Sequence, residues 1–310
     1  MRVVITGGTG LIGRALAADL VSDGHEVIVL TRNPANATDL PTGVRAVKWD
    51  AVSGKGWEPS ADGADAIVNL AGESIAGDGF LPSRWTAARK QRILQSRVSA
   101  GNAVVDAVRA AAIKPRVVIQ SSAVGYYGSQ DEKSQPPLGE DAPMGSDFLA
   151  DVTRQWEAST APVESMGVRR AIIRTGLILT FKGGTLPLLA LPYQFFAGGP
   201  IGSGKQPMSW IHLQDEVKAI RYLIEHESAS GVYNLTAPNP VTNAEFGKAL
   251  GKVMGRPSWL PAPGFAFKLA FGELADALVL HGQRVVPTRL EEAGYHFHFP
   301  QIEGALQDLY

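Results

Sequence analysis

The chain of 310 residues contains no cysteine. Disulfides, thiolate metal ligands and a cysteine nucleophile are excluded, and no metal site is expected. Neither charge is in surplus: 29 Lys and Arg stand against 30 Asp and Glu, a formal net charge of -1. That balance gives no global pull toward nucleic acid or an anionic membrane, and no motif that reads nucleic acid is present. No apolar run approaches the ~18 residues of a membrane span. The N-terminus enters a strand directly, with no basic segment leading into an apolar signal region. A soluble, cytoplasmic protein acting on a small molecule is the expectation, with neither a nucleic-acid nor a membrane partner. Charged residues make up 19% of the chain and hydrophobic ones 45%, so a sizeable core is available.

Glycine is concentrated at the start. Met1 to Gly13 read MRVVITGGTGLIG, an apolar run feeding a turn with Gly7, Gly8, Gly10 and Gly13, and a helical segment begins at Leu11. Glycine lets a backbone turn tightly and approach a pyrophosphate, and a helix start offers that anion free N–H groups and a positive dipole end. Gly7, Thr9, Gly10, Leu11, Ile12 and Gly13 are therefore expected cofactor contacts. Asp23-Gly24 ends the first helix, and Glu26 to Leu30 is a second buried strand. Arg32 follows it, with no acid in the immediate turn. An acid there would bind the ribose hydroxyls of NAD, whereas an arginine matches a 2′-phosphate, so NADP is favoured.

Val44 to Trp49 reads as a third strand, ending in Asp50, which either reaches an adenine amino group or simply ends its strand. Asp65 to Leu70 is a fourth, ending in Asn69-Leu70-Ala71-Gly72; small residues after it allow close approach to a ligand, so Leu70, Ala71 and Gly72 are expected at the cofactor. Glu73-Ser74-Ile75 then opens a glycine-containing loop. Apolar residues at Ile93, Val98, Val104, Val105 and Val108 predict a long helix, about Trp85 to Ala111. Its first half carries Arg84, Arg89, Lys90, Arg92 and Arg97, a basic run whose members are mostly solvated but in part placed to meet substrate or cofactor phosphate.

Val117 to Gln120 is strand five, leading into Ser121-Ser122-Ala123-Val124-Gly125-Tyr126-Tyr127-Gly128. Hydroxyls polarise a carbonyl and a tyrosine exchanges protons, so Ser122, Tyr126, Tyr127 and the nearby Glu73 are the candidate catalytic groups. Asp131 to Ser146 reads as loop, and Ser146 or Asp147 caps a helix to about Met166. Val168 to Thr175 is strand six; Ser121, Arg174, Thr175 and Gly176 complete the expected cofactor set. Beyond it, Leu186 to Phe196 reads as a short apolar helix, Asp215 caps or begins a helix to Glu225, and Gly231 to Thr236 is a strand. Thr242 or Asn243 caps a helix to Met254, Tyr295 to Phe299 is strand-like, and Gln301 to Leu309 is helical. The fold class is α/β: a Rossmann-type doubly wound parallel sheet over residues 1–175, with later segments returning to it. A smaller mixed C-terminal lobe spans 176–310 and ends in an extension from about 256. Substrate is expected between the lobes, against Trp85, Met208, Trp210 and His212, with a hydrogen-bonded structural role the competing reading for His212.

Thr6-Gly7-Gly8-Thr9-Gly10-Leu11-Ile12-Gly13 resembles the TGxxGxxG signature of extended short-chain dehydrogenases/reductases, the NAD-dependent epimerase/dehydratase group. Ala71-Gly72-Glu73-Ser74-Ile75, Ser96-Arg97-Val98, Gly125-Tyr126-Tyr127-Gly128, Trp156-Glu157 and Met208-Ser209-Trp210-Ile211-His212 resemble one subfamily more closely. Its members are epimerase-family proteins with a short C-terminal domain of unknown function, sometimes labelled cell-division inhibitors. Asn234-Leu235-Thr236-Ala237-Pro238 and the tail from Arg256 fit that extension. The resemblance implies an NADP-dependent oxidoreductase or epimerase, and a homodimer through the two long helices. The parent family's Tyr-x-x-x-Lys pair is missing: aligning Glu157 puts Leu149 and Thr153 in those positions, and Ala123 where its Ser or Thr would stand. The catalytic site is therefore non-standard, and a non-catalytic NADPH-binding sensor or scaffold is the alternative.

Overall fold

The computed structural model describes residues 1–77, 79, 81–130 and 136–310. The expected loops after Ile75 and from Asp131 to Ser146 lie outside the described residues at 78, 80 and 131–135.

The apolar runs form the centre. β1 (Arg2–Thr6), β2 (Glu26–Thr31), β3 (Arg45–Lys48), β4 (Ala66–Asn69), β5 (Val117–Ala123) and β6 (Arg169–Thr175) pair in parallel. After β7 (Leu177–Leu179), β8 (Pro207–Met208) and β9 (Trp210–His212), β10 (Gly231–Leu235) returns to pair with β6. The result is a seven-stranded sheet in the order β10-β6-β5-β4-β1-β2-β3. Six strands were expected in it; β10 is the addition, laid against β6 along Gly231 to Leu235. β7 pairs with β9, and β8 with β11 (Val241–Thr242), in two small satellite sheets.

Helices cover both faces because the strands are apolar on both. On one face α1 (Leu11–Ser22) packs Leu16 and Leu20 against Val3, Ile5, Val27 and Val29. On the other, α3 (Ala87–Ala110), which follows the short α2 (Glu58–Ala61), sets Val104 and Val108 against Val4, Ile28 and Ile67. α4 (Phe148–Ser159) packs beside α3. Helix was expected to run on to Met166, but Pro162 cannot continue α4 and Ala161–Met166 tighten into a 3-10 turn. A third hydrophobic cluster gathers α5 (Leu186–Gln194) with later helices around Tyr193, Trp210, Phe246 and Leu250. α6 (Leu213–Glu225) lies over the first face of the main sheet, through Val217, Ile220 and Leu223. α7 (Asn243–Met254), α8 (Gly264–Phe271), α9 (Glu273–Ala275), α10 (Thr288–Glu292) and α11 (Ile302–Leu309) complete the chain. Thr242 and Glu245 form a capping box on α7. Among the described residues no helix is long and apolar enough to cross a membrane.

Two local expectations are corrected. α6 starts at Leu213 and is capped by His212, whose Nδ1 accepts from Gln214 N at 3.1 Å, so Asp215 is not its cap. Asp215 is fully buried, and its carboxylate accepts from His298 N at 2.8 Å and Phe299 N at 2.9 Å. Tyr295 to Phe299 consequently forms no strand; a side chain takes amides that a strand would have given to a neighbour. We predict that Asp215→Ala orphans these amides and lowers stability by about 3 kcal/mol. Equilibrium urea unfolding measures this, and a loss below about 1 kcal/mol would contradict the anchoring role.

Candidate active site

In the sheet, β2 and β3 lie to one side of β1 and β4, β5, β6 and β10 to the other, so the order reverses between β1 and β4. Open α/β sheets bind ligands in the crevice at such a reversal. The glycine turn lies there. Gly7 has φ 66°, and a Cβ on it would stand 2.7 Å from the Leu70 carbonyl carbon and oxygen. A Cβ on Gly13 would stand 2.5 Å from Gly8 Cα. Turn and helix therefore close only with bare backbone. Gly10 N donates to Gly7 O at 2.9 Å, and the first α1 bond runs from Arg14 N to Gly10 O at 3.0 Å. The N–H groups of Leu11, Ile12 and Gly13 precede that bond, and no side chain caps them. With Thr9 and Gly10 exposed at the mouth, this donor set and bare cradle fit a diphosphate.

Arg32, at the end of β2, is exposed and makes no ion pair with any described residue. Asp50, two residues past β3, holds the turn that follows: its carboxylate accepts from Val52 N, Ser53 N and Ser53 Oγ, which keeps it below the usual carboxylate range. Leu70 and Ala71 are partly exposed, Gly72 is exposed, and Thr6 Oγ1 steadies the turn by accepting from Ala71 N at 3.2 Å. The sequence reading missed the Gly183-Gly184 loop, which reaches Leu11: a Cβ on Gly184 would stand 3.4 Å from the Leu11 side chain. Its signal was a second glycine pair leading into a helix.

The end of β5 departs most from expectation. Arg174, expected at the cofactor, is buried; its Nε and Nη2 donate to the two oxygens of Glu157 at 2.8 and 3.0 Å. Burial opposes its charge, and the Glu157 bonds outweigh burial and raise its pKa. Ser122, a candidate donor, is buried and its Oγ donates to Glu157 at 2.7 Å. Tyr127, another, donates from its hydroxyl to Asn234 Oδ1 at 2.7 Å and accepts from Arg174 Nη1 at 3.1 Å. Burial pushes its phenol up. These three side chains are satisfied in the interior. Ser121 is buried beside them, and Gln120 Nε2 donates to its carbonyl. Tyr126 differs: it is partly exposed, its ring centroid lies 3.3 Å from Arg174 Cζ, and its hydroxyl bonds no described residue. Across from it, Leu149 packs on Gly125, and Thr153 returns its hydroxyl to Leu149 O and Ala150 O of its own helix. Glu73 stands at the β4 edge, with Arg92 Nε 3.2 Å from its Oε1.

Thr175 Oγ1 donates to the fully buried Glu216 at 2.7 Å, and Gly176 packs on Ser209, where a Cβ would stand 2.7 Å from the carbonyl oxygen. Trp210 is in the core, donating to Asn239 O at 3.1 Å. His212 is buried against Phe299; its Nδ1 caps α6, its Nε2 lies 3.4 Å from Asp308 Oδ2, and burial lowers its pKa. Met208 is partly buried against Asn243. Trp85 remains near the crevice, donating to Ile75 O at 2.8 Å and packed on Phe148. Among the described residues no group of three or more His, Asp and Glu is arranged to hold a metal ion.

A doubly wound parallel sheet with a bare-backbone anion cradle at its switch point defines a dinucleotide-binding α/β protein of the Rossmann type. Residues 3–149 match the model of the NAD dependent epimerase/dehydratase family, and residues 262–309 that of a domain of unknown function, DUF1731. "Epimerase family protein YfhF" of Bacillus subtilis (strain 168) is 41% identical over 310 residues, covering 100% of this chain and 98% of its own. The Arabidopsis thaliana "Epimerase family protein SDR39U1 homolog, chloroplastic" is 40% identical over 315 residues, 99% of this chain and 86% of its own. A crystal structure of human epimerase family protein SDR39U1 (isoform2) with NADPH superposes with a TM-score of 0.88 at 32% identity, covering 100% of this chain and 99% of that one. The chain belongs to the epimerase family.

The Glu216 carboxyl has a pH signature. Burial pushes it up to about 8, so it stays protonated in the fold at pH values where the unfolded chain has lost that proton. Stability from this group is full below the ordinary glutamate pKa and lost as pH rises toward about 8. Unfolding free energies at pH 5, 6, 7 and 8 should show Glu216→Gln gaining on the parent as pH rises. Parallel pH profiles would refute a neutral Glu216.

Proposed function

We propose that this protein binds NADP(H) along the β1–β4 crevice and acts as an oxidoreductase or epimerase on a small carbonyl or hydroxyl substrate. The carrying observation is the Gly7–Gly13 cradle together with an exposed Arg32 that pairs with no described acid. The human relative crystallised with NADPH supports the same reading. In this proposal the N–H groups of Leu11, Ile12 and Gly13 hold the diphosphate and Arg32 the 2′-phosphate. Leu70, Ala71 and Gly72 form the floor under the remaining ribose. When bound, the cofactor supplies or accepts the hydride.

The proton falls to Tyr126. Ser122 and Tyr127 already donate their hydroxyl protons inside the protein, to Glu157 and Asn234, and no lysine stands on α4. Tyr126 carries a free phenol at the end of β5, over the fixed Arg174 cation. The Arg174 guanidinium, locked by Glu157, steadies the ring without touching substrate. Met208 and Trp85 line the substrate side, and a cytoplasmic location and self-association through α3 and α4 belong to the same proposal. A second reading, an NADPH-binding sensor without chemistry, is favoured by Leu149 and Thr153, which bring neither phenol nor cation to the crevice.

Two measurements test this. Arg32→Ala should weaken NADPH binding about tenfold or more and NADH binding little, read by cofactor fluorescence titration. Equal loss for both would remove Arg32 from 2′-phosphate recognition. On a carbonyl substrate panel, Tyr126→Phe should lower kcat about 100-fold with NADPH affinity retained. Tight NADPH binding by the parent chain without turnover on the panel would favour the sensor reading.

A further inference from the structure

Three arginines of α3 converge on the loop after β4, which carries one carboxylate, Glu73. Arg97 Nη1 donates to Glu73 O at 3.0 Å and Ile93 O at 2.9 Å. Arg89 Nη2 donates to Ser74 O at 2.8 Å. Their Cα atoms are about 12 Å apart along the helix, at 1.5 Å per residue. Their guanidinium groups nevertheless reach neighbouring carbonyls of one loop. Backbone carbonyls accept these bonds without neutralising the charges. Among the described residues neither Arg89 nor Arg97 makes an ion pair, and the nearby Glu73 carboxylate is engaged by Arg92.

Arg89 is only 9% exposed, and its Nε has no hydrogen-bond partner among the described residues. Arg97 lies over the Trp156 ring, 4.9 Å from its centroid, and is partly exposed, so a ligand can reach it. Gly72 leaves the space: a Cβ there would stand 3.0 Å from Arg97 Cζ. Burial lowers the Arg97 pKa to about 10, so it is charged at neutral pH. Three guanidinium groups thus share the field of one carboxylate, Glu73; cations withdrawn from water with too little countercharge are costly, and such sites are ordinarily completed by an anion. The other basic residues of the run are occupied. Arg84 donates to Leu269 O and Ala270 O at the end of α8, and Lys90 pairs with Glu273.

We propose that Arg89, Arg92 and Arg97 receive a carboxylate or phosphate group of the substrate, which makes the substrate a small anionic carbonyl or hydroxyl compound. The group is not the cofactor's 2′-phosphate: Arg32 follows β2, and β1 separates β2 from β4. The proposal rests on the reading above that substrate meets NADP(H) at this edge. Planar guanidinium forks match both oxyanions, and the Trp156 stack keeps the Arg97 fork in one plane.

Calorimetric titration of the NADPH-loaded full chain with inorganic phosphate, and separately with malonate, tests it. Tighter binding of malonate assigns a carboxylate, tighter binding of phosphate a phosphoryl group. Arg97→Gln and Arg89→Gln should each weaken the preferred anion at least tenfold, with NADPH affinity within twofold of the parent. Glu73→Gln, which removes the competing carboxylate, should tighten it. If Arg89→Gln does not fold, Arg92→Gln on the helix surface gives the same reading. The receptor is overturned if neither anion binds the parent chain, or if anion affinity changes less than twofold in these variants. It is also overturned if NADPH affinity falls in step, since the arginines would then serve the cofactor. Loss of NADPH binding by the parent chain would strike the cofactor reading instead, and the same anion titration without NADPH would still report on the arginines.

Discussion

Arg174 and Glu157 form two charge-assisted bonds almost out of contact with water, and four other parts of the chain lean on that pair. Ser122 brings in β5, Tyr127 the turn after it, and Tyr127 in turn holds Asn234 of β10. Glu140 gives its carbonyl to Arg174 and its carboxylate to Asn234 N. Removing either charge would leave the other buried and unpaired, a loss far larger than an exposed pair could cause. The network also decides which hydroxyls are free for chemistry. Its members have their protons committed, and Tyr126, stacked above it, does not.

The two walls of the crevice are charged by different means. The β1 side offers backbone N–H groups, available because Gly7, Gly10 and Gly13 bring no side chain into the turn. The β4 side offers guanidinium groups carried by one long helix. The first suits a diphosphate running along the turn, the second a compact oxyanion at a fixed point. A chain with net charge near zero overall can thus concentrate positive charge along one crevice.

The C-terminal extension is stitched to the rest through backbone groups. Ser209 Oγ donates to Gln283 O and accepts from Val285 N, Gln206 Nε2 donates to Val279 O, and Asn234 Nδ2 donates to Val286 O. Arg84 closes the end of α8 from the other side of the crevice. Partners of this kind leave little trace in a sequence, because a backbone carbonyl is present at every residue.

The strand–turn–helix at the N-terminus, the parallel sheet and the helix positions were readable from the chain. Each rests on local rules: apolar runs, glycine spacing, capping boxes and 3.6-residue periodicity. The place of Arg32 just past β2 was readable for the same reason, since it is fixed by the end of the strand. The fates of Ser122, Tyr127, Arg174 and Thr175 were not. Each carries the chemistry of an active-site residue, and only the neighbours supplied by distant segments show that its donors are spent. The same holds for Arg89 and Arg97, which differ from Arg84 and Lys90 only in lacking a described acid or a helix end to satisfy. Sequence by itself determined where a turn of bare backbone would leave its N–H groups open, since that depends on residues within one turn. Tertiary structure alone decided which side chains stay free to act, because desolvation and pairing are set by groups far apart in the chain.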